Sequence, residues 1–254
     1  MKTTPFLLED DNISSAWQKT LNHIVNNPGK EITPLILSLT GFEEIDMVRE
    51  ALDEDLKARK ENSVTTVAET IFPQSLYILC GQEREALYNQ YAENLPRLKA
   101  IDKRNRRGIY FERLIAFDNP VRPGQPVNQL DIIMDGLKDE RGKRRSALQA
   151  GLFNPTIDHI NSPYQGFPCL QQISCYKSEN GGLILNAFYA VQLVYRKAYG
   201  NWLGLANLGK FIAKEADLHF ERFNCYIGVE QLDVLTKPQA KRFVELDKEL
   251  VAVA

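Results

Sequence analysis

Hydrophobic positions along the chain follow two periods, and these periods divide it into helices and strands. In residues 12–27 the apolar positions recur every three or four residues, which places Ile13, Trp17, Leu21 and Ile24 on one face of a helix. Similar patterns, read together with Pro as a helix breaker, predict the remaining helices: 43–61, 63–80 with a break at Pro73, 83–102 up to Pro96, 128–140, 202–218 and 237–250.

Shorter apolar runs predict the strands. TPLILSLT, residues 33–40, indicates a buried strand, and residues 167–193 indicate two strands joined by the turn SENGG. The remaining predictions are an extended segment after a turn at 107–117, a Pro- and Gly-rich loop at 118–126, a basic turn feeding a strand at 141–153, and a last strand at 220–233. Helices first and antiparallel-leaning strands later predict an α+β fold with helices on one face of the sheet.

Composition narrows the class of protein. The chain has 254 residues, 44% of them hydrophobic, and a formal net charge of −2, which favours one globular domain and makes nucleic-acid binding unlikely. No run of about eighteen apolar residues and no apolar signal core occur, so we expect no membrane partner and a cytoplasmic location. The cysteines and histidines form no metal-ligand pattern, and no metal site is expected.

Several motifs carry chemical groups in a fixed order. They are VAETIFP, RGIYFERLIAF, NQLDIIMDGLK, GKRRSALQAGLFNP, FPC and GNWLGLANLGKFIA. Their order and spacing resemble those of thymidylate synthases and their pyrimidine hydroxymethylase relatives. The resemblance is clearest over 63–233 and implies a thymidylate synthase-like mixed β-sheet flanked by helices in a single domain over 1–254. Residues 1–62, read as N-terminal helices and a strand, carry little of it.

The resemblance implies a covalent mechanism. Cys169, in FPC, matches the family nucleophile, which adds to C6 of a pyrimidine ring so that C5 attacks the one-carbon unit of 5,10-methylenetetrahydrofolate. Glu69 and Tyr110 match residues that handle protons in that reaction. Only a thiolate is reactive enough for the addition, so a nearby cation must lower the pKa of Cys169.

The resemblance also implies a binding shell and a homodimer. Asn201 matches the asparagine that reads the pyrimidine edge. Arg144 and Arg145 match a pair that reaches across the dimer to clamp the partner's phosphate, a task that suits the guanidinium fork. Arg196 and those partner arginines are the candidate cations for Cys169.

Four family positions are replaced. The arginine that contacts the cysteine and the phosphate falls on Ala190, and the folate-ring aspartate falls on Leu193. The pair that binds the sugar hydroxyl falls on Gln231 and Asp233. These changes predict a pyrimidine-like substrate other than ordinary deoxyuridylate, such as a modified nucleotide, a nucleoside or another electron-poor heterocycle.

Each candidate residue also has a structural interpretation. Cys169 is then a buried apolar residue, as Cys175 and Cys225 are read to be. The others are an exposed helix position (Glu69), cross-strand packing (Tyr110), a helix cap (Asn201) and a solvated basic turn (Arg144, Arg145). The matching alternative for the whole chain is a non-catalytic ligand-binding or regulatory protein that kept the fold.

Overall fold

The computed structural model describes residues 5–139, 141–159, 161 and 168–251, without the side chains of 103, 104 and 247–251. Glu140, predicted to end a helix, and Phe167 of the FPC motif lie outside the described residues. The described chain forms a single α+β domain with a mixed open sheet flanked by helices. None of the described helices has the length and apolar character needed to cross a membrane.

One seven-stranded sheet organises the described part of the chain. Its strands are β1 (Phe6–Asn12), β2 (Glu31–Ile32), β3 (Leu35–Glu43), β4 (Gln149–Gly151), β5 (Leu170–Lys177), β6 (Gly182–Leu193) and β7 (His219–Gln231). They lie in the order β1-β3-β7-β6-β5-β4, with β2 paired to β7. β1 and β3 are parallel, as are β6 and β7, and the other pairs are antiparallel.

Helices cover one face of this sheet. They are α1 (Ile13–Asn26), α2 (Asp46–Ala58), α3 (Val64–Glu69), α4 (Gln74–Leu79), α5 (Arg84–Ile101), α6 (Tyr110–Ile115), α7 (Gln129–Lys138), α8 (Pro155–Asp158), α9 (Tyr199–Glu215) and α10 (Lys237–Val251). Two 3-10 turns, Lys103–Arg107 and Arg145–Ala147, and one π-helical turn, Val194–Ala198, complete the list of helical elements.

The core lies between the sheet and these helices. Alternate residues of β3 and β7 are fully or almost fully buried on this face: Leu35, Leu37, Leu39, Phe223, Cys225 and Ile227. Trp17 of α1 packs over them and donates its indole N–H to the carbonyl of Val194 at 2.8 Å. Burying each large apolar side chain contributes about 1.5–3 kcal/mol, so this layer supplies most of the driving force for folding. Cys175 and Cys225 are buried, which confirms the prediction that they belong to the core.

Two glycines bring α3 against α9. A Cβ at Gly204 would lie 2.7 Å from the carbonyl oxygen of Ala68, and a Cβ at Gly200 would lie 2.7 Å from that of Val64. The helices therefore touch backbone to backbone, which only residues without side chains allow at this distance. This contact fixes α3, and with it Glu69, at its place over α9.

Three local predictions are wrong. Residues 110–115 form α6 rather than an extended segment, because Ile109 N–H bonds the side chain of Glu112 at 3.2 Å and caps the turn. α5 continues through Pro96 to Ile101. Its Pro-containing turn is exposed, so water can satisfy the carbonyl that proline leaves without a donor.

The third is β1, which the sequence leaves without structure, as it does the two-residue β2 and the short α8. FLLEDDN pairs in parallel with β3, with Phe6 opposite Leu35, so a distant strand determines its conformation. The other predicted helices and strands are confirmed, with ends displaced by a few residues. Helix 63–80 breaks before Gln74, as Pro73 predicts.

Candidate functional site

Cys169 stands directly before β5 and is exposed. Its backbone is held on both sides. The N–H donates to the hydroxyl of Tyr110 at 3.2 Å, and the carbonyl accepts the N–H of Ala190 at 3.2 Å. The interpretation of Cys169 as a buried core residue is therefore wrong.

Tyr110 is the first residue of α6, so its interpretation as cross-strand packing is wrong. The next residue, Phe111, donates its N–H to the carbonyl of Thr70 at 3.1 Å. Arg113 anchors the helix from its other side. Its guanidinium donates to the carbonyl of Leu152 at 2.6 Å and to both carboxylate oxygens of Asp158, the longer of the two bonds being 2.8 Å. The Tyr110 hydroxyl is thus positioned by a buried ion pair.

A group of buried polar side chains lies behind this pair. In the described part of the chain, the Tyr189 hydroxyl, the Gln192 amide nitrogen and both carboxyl oxygens of Glu230 are buried without a hydrogen-bond partner. The oxygen of the same Gln192 amide does have a partner, because it accepts the indole N–H of Trp202 at 3.0 Å. Buried polar groups usually find partners, so several orphaned groups in one place are unusual.

In the two central strands, β6 and β7, the order of inward and outward side chains reverses at the same level of the sheet. In β6 every second residue points inward up to Tyr189. Val191, the next position expected to point inward, is 40% exposed, and Gln192 is only 2% exposed instead. β7 changes in the same way between Ile227 and Glu230, which is 0% exposed. Gln192 pairs with Glu230, so the reversal places both side chains next to each other in the interior.

Electrostatics links these groups to Cys169. Burial raises the pKa of Tyr189 well above its ordinary value, and Tyr110, Cys225, Cys169 and Glu230 also contribute. Burial likewise raises the pKa of Tyr110, and the nearby Cys169 raises it further. Burial alone raises the pKa of Glu230 well above that of a normal carboxyl. A carboxyl in such surroundings is harder to ionise than an exposed one.

Burial works against ionisation of the Cys169 thiol. The atoms packed around the sulfur raise the pKa of Cys169, although the residue is exposed, and Lys197 acts in the opposite direction. Arg196, the predicted cation, instead makes ion pairs with Asp233 and with Glu61, the latter at 3.4 Å. Among the described residues, the cation that lowers the pKa of Cys169 is Lys197, on the π-helical turn after β6.

Glu69 lies in a different environment. It ends α3 and accepts hydrogen bonds from the backbone N–H of Ser75 at 2.9 Å and from its hydroxyl at 2.7 Å. It lines a cavity of about 450 Å³ together with residues of α2, α3 and α9, among them Arg49, Asn207 and Lys210. Cys169 and Tyr110 are not among the lining residues, so the structure does not bring Glu69 and Cys169 together in this cavity.

The remaining predicted residues are spread over the fold. Asn201 is buried in the first turn of α9, whose N-cap is Ala198, so its interpretation as a helix cap is wrong. Arg144 and Arg145 are exposed, and Arg145 stands over the ring of Tyr176 at 5.2 Å. Of the predicted site residues, the structure joins Cys169 and Tyr110 through a hydrogen bond from the Cys169 backbone N–H to the Tyr110 hydroxyl.

Sequence reasoning missed Glu230, Tyr189 and Lys197. The sequence did contain a signal for Glu230. A carboxyl inside the apolar run YIGVEQL is costly to bury, which marks it as a candidate functional residue. No comparable signal marks Tyr189, since tyrosine is common in strands.

Comparison with known proteins adds no relative. No protein-family model matches the chain, and no curated protein matches it significantly. The thymidylate synthase family therefore stays a prediction from the sequence.

One position bears on the predicted cofactor, methylenetetrahydrofolate. Leu193, at the end of β6 where the family has its folate-binding aspartate, offers no polar side-chain atom to a pterin ring, so this position does not fit methylenetetrahydrofolate. Among the residues whose side chains are described, no group of three or more His, Cys, Asp and Glu is placed to hold a metal ion.

Proposed function

We propose that this protein is a one-carbon transferase of the thymidylate synthase type, acting at C5 of a pyrimidine-like ring through a covalent bond to Cys169. The sequence resemblance supports the proposal, together with one structural observation. The exposed Cys169 is held against the hydroxyl of Tyr110, which is the pair that the resemblance assigns to nucleophile and proton handling.

The chemistry begins at the sulfur. The Cys169 thiolate forms a bond to C6 of the ring, and the electron pair of the C5–C6 double bond moves toward C5 and the conjugated carbonyl oxygen. C5 then takes a one-carbon group from an electrophilic donor, loses its proton, and the thiolate leaves. Because Leu193 does not fit folate, no step is assigned to methylenetetrahydrofolate, and the donor is left to experiment.

Lys197 and the residues that the resemblance assigns to the site have separate roles in this proposal. Lys197 favours the thiolate, as a cation near a cysteine does. Tyr110 gives and takes a proton at the ring, and Asn201 binds the ring edge through its amide. Arg196, engaged with Asp233, supports the turn that carries Lys197 rather than binding phosphate. The pyrimidine-like substrate and a cytoplasmic location are part of the proposal.

A homodimer through the uncovered face of the sheet also belongs to the proposal. On this face, opposite the helices, four exposed apolar side chains lie side by side across β1, β3, β7 and β6: Leu7, Ile36, Tyr226 and Phe188. Next to them, hydrogen bonds join Ser38, Asn224 and Asn186 in a polar row across three strands, at 2.9 Å each. An apolar row with a polar border is typical of a protein interface.

The arginines fit the same arrangement. Arg145 stacks on Tyr176, whose neighbours in the sheet belong to this uncovered face. A second copy placed on the face therefore comes within reach of Arg144 and Arg145. We expect Tyr226→Arg to shift the protein from dimer to monomer in sedimentation velocity. Leu79→Arg, an exposed apolar position on α4, is the control. A monomeric wild-type protein would contradict the dimer.

Mass spectrometry of the intact chain tests the catalytic proposal. We expect incubation with 5-fluorouracil nucleotides, with and without methylenetetrahydrofolate, to trap an adduct on Cys169 that is lost in Cys169→Ser. Cys80→Ser, which alters a partly exposed thiol on another element, is the matched control and keeps the adduct. Absence of an adduct with every pyrimidine tested would contradict the proposal.

A second function, binding of a ligand without catalysis, is favoured by the cavity that Glu69 lines. Its volume of about 450 Å³ is in the range of small-molecule sites, and Cys169 does not line it. A binder is expected to take up nucleotides in calorimetry with equal affinity in the wild type and in Cys169→Ser, whereas Lys210→Ala weakens binding. A covalent adduct on Cys169 would contradict this function.

A further inference from the structure

We propose that Arg107 binds the phosphate group of a small molecule. The site lies at the end of the 3-10 turn Lys103–Arg107, just before α6. It goes beyond the proposed function, because a phosphate can bind there whether or not Cys169 forms a covalent bond. The alternative interpretation of this basic turn is a loop whose charge serves only to keep it in water.

The guanidinium of Arg107 has no partner of its own. Its Nη1 nitrogen is buried without a hydrogen-bond partner, and no ion pair of Arg107 occurs in the described structure. The side chain as a whole is partly exposed, so a ligand can reach it from solvent. Taking part of a charged group out of water without a partner is costly, and an anion at the guanidinium offsets that cost.

A second arginine increases the positive charge at this place. Arg113 is 6% exposed, donates from Nη2 to the carbonyl of Arg107 at 2.8 Å, and has a buried Nε without a partner. Gly108 lets the two approach, because a Cβ there would lie 2.8 Å from that Nε. Arg113 has Asp158 as its carboxylate, whereas no described acid pairs with Arg107. One positive charge is therefore left over for an anion from solution.

The turn that carries Arg107 is held in place by bonds at both ends. The carbonyl of Asn105 accepts the N–H of Gly108 at 3.1 Å, and the amide of Asn105 donates to the carbonyl of Leu98 on α5 at 3.1 Å. The bond from Arg113 to the Arg107 carbonyl fixes the other end. A binding group on a preformed turn loses little conformational freedom when its ligand arrives, which favours affinity.

The charge of this segment favours a phosphate over a carboxylate. Residues 102–113 contain five basic and two acidic side chains, and one of the acids, Glu112, is already bonded to Lys99. A phosphate monoester carries about two negative charges near pH 7, whereas a carboxylate carries one. The guanidinium fork can also bind two phosphate oxygens at once. The chemistry that suits Arg107 is therefore that of a phosphate group.

Phenylglyoxal, which modifies arginine side chains, tests the site directly. Peptide mapping follows Arg107 and its exposed neighbour Arg106 in the same sample, so Arg106 is the internal control. We expect inorganic phosphate to slow the modification of Arg107 by about tenfold and that of Arg106 by less than about twofold, relative to chloride at equal ionic strength. Equal protection of the two arginines, or no protection of Arg107, would overturn the site.

The same assay identifies the molecule that carries the phosphate. If uridine monophosphate protects Arg107 at lower concentration than inorganic phosphate does, the ligand is a nucleotide. If the two protect at equal concentration, the site recognises phosphate alone, and both outcomes support it. Uridine, which has no phosphate, is expected to give no protection, and protection by uridine would overturn phosphate recognition.

Variants separate phosphate binding from a purely structural role of the arginine. Arg107→Gln removes a charge that has no partner, so we expect its melting temperature without phosphate to be no lower than that of the wild type. Phosphate is expected to raise the melting temperature of the wild type and of Arg106→Gln, but not that of Arg107→Gln. A phosphate effect that Arg107→Gln keeps would overturn the proposal, as would a variant that melts far below the wild type.

The readouts do not involve the thiol of Cys169. Cys169→Ser is therefore expected to show the same protection of Arg107 by phosphate as the wild type, even if no nucleotide adduct forms on the cysteine. Loss of the protection in Cys169→Ser would overturn a phosphate site that is independent of the covalent chemistry.

Discussion

Glu69 and Glu230 are two carboxyls in very different surroundings. Glu69 stands at the end of a surface helix, half-buried, with two hydrogen bonds from Ser75. Glu230 is fully buried in the central sheet, and both of its oxygens lack a partner in the described structure. A satisfied carboxylate stabilises its own loop, whereas an unsatisfied buried acid destabilises the fold and needs another explanation.

The neighbours of the two carboxyls also differ. Around Glu69, Arg49 bonds Asp53 at 2.8 Å and also pairs with Glu44, so charged groups are matched. Around Glu230 the neighbours are phenol, thiol and amide groups, which are neutral near pH 7. The surroundings of Glu69 suit a polar ligand, whereas those of Glu230 disfavour ionisation of its carboxyl.

The largest expected effect comes from removing the ion pair that anchors α6 on the Cys169 side. Arg113→Met leaves Asp158, whose side chain is 0% exposed, buried without its cation. Loss of one partner of a buried pair costs about 3–5 kcal/mol of unfolding free energy. Chemical denaturation measures this loss.

The matched control lies on the Glu69 side. Arg49→Met removes a partly exposed pairing and is expected to cost about 1 kcal/mol. Equal losses in the two variants would show that the Cys169 side is not anchored by Arg113 as described.

The next effect depends on pH. Because burial raises the folded-state pKa of Glu230, the folded protein keeps a proton that the unfolded chain has lost once the pH exceeds the carboxyl's unfolded pKa. Raising the pH then favours unfolding, by up to about 1.4 kcal/mol per pH unit, until the folded pKa is reached. Glu230→Gln cannot ionise, so we expect it to be more stable than the wild type at pH 8, with the difference shrinking toward pH 5.

Glu69→Gln gives the contrasting result. Its amide accepts the Ser75 bonds less strongly than a carboxylate does, so a loss of about 1 kcal/mol is expected. Urea titrations of both variants between pH 5 and 8 measure the difference. A wild type whose stability relative to Glu230→Gln does not change with pH would contradict a raised pKa of Glu230.

The smallest expected effect comes from Tyr110. Tyr110→Phe removes the acceptor of the Cys169 N–H and is expected to cost about 0.5–1.5 kcal/mol, the net value of one hydrogen bond. Thermal unfolding measures it, with Tyr88→Phe as a control on α5. A loss above about 3 kcal/mol would mean that the Tyr110 hydroxyl has a larger structural role than this bond gives it.

The sequence predicted most of the helices and the central strands, because their apolar periods report directly on burial. α9 is an example, since its apolar residues extend over the whole helix. β1 escaped prediction because the acidic half of FLLEDDN hides a strand that β3 determines from a distance. α6 was not predicted because its start is set by a side-chain cap, the Glu112 carboxylate on the Ile109 N–H, and not by the spacing of apolar residues.

The candidate site was predictable only in part. Cys169 and Tyr110 came from motif order, and the structure brings them together. The inward turn of Gln192 and Glu230 depends on a reversal shared by two parallel strands, which no single strand's pattern contains. The separation of Glu69 from the cysteine depends on how α3 packs on the glycines of α9, which is likewise a tertiary feature.

The most direct test is whether Cys169 forms an adduct with a 5-fluorouracil nucleotide, followed by intact mass in the wild type, Cys169→Ser and Cys80→Ser. We predict an adduct in the wild type and in Cys80→Ser and none in Cys169→Ser, because Cys169 is the proposed nucleophile. An adduct that Cys169→Ser keeps, or the absence of any adduct in the wild type, would contradict the transferase.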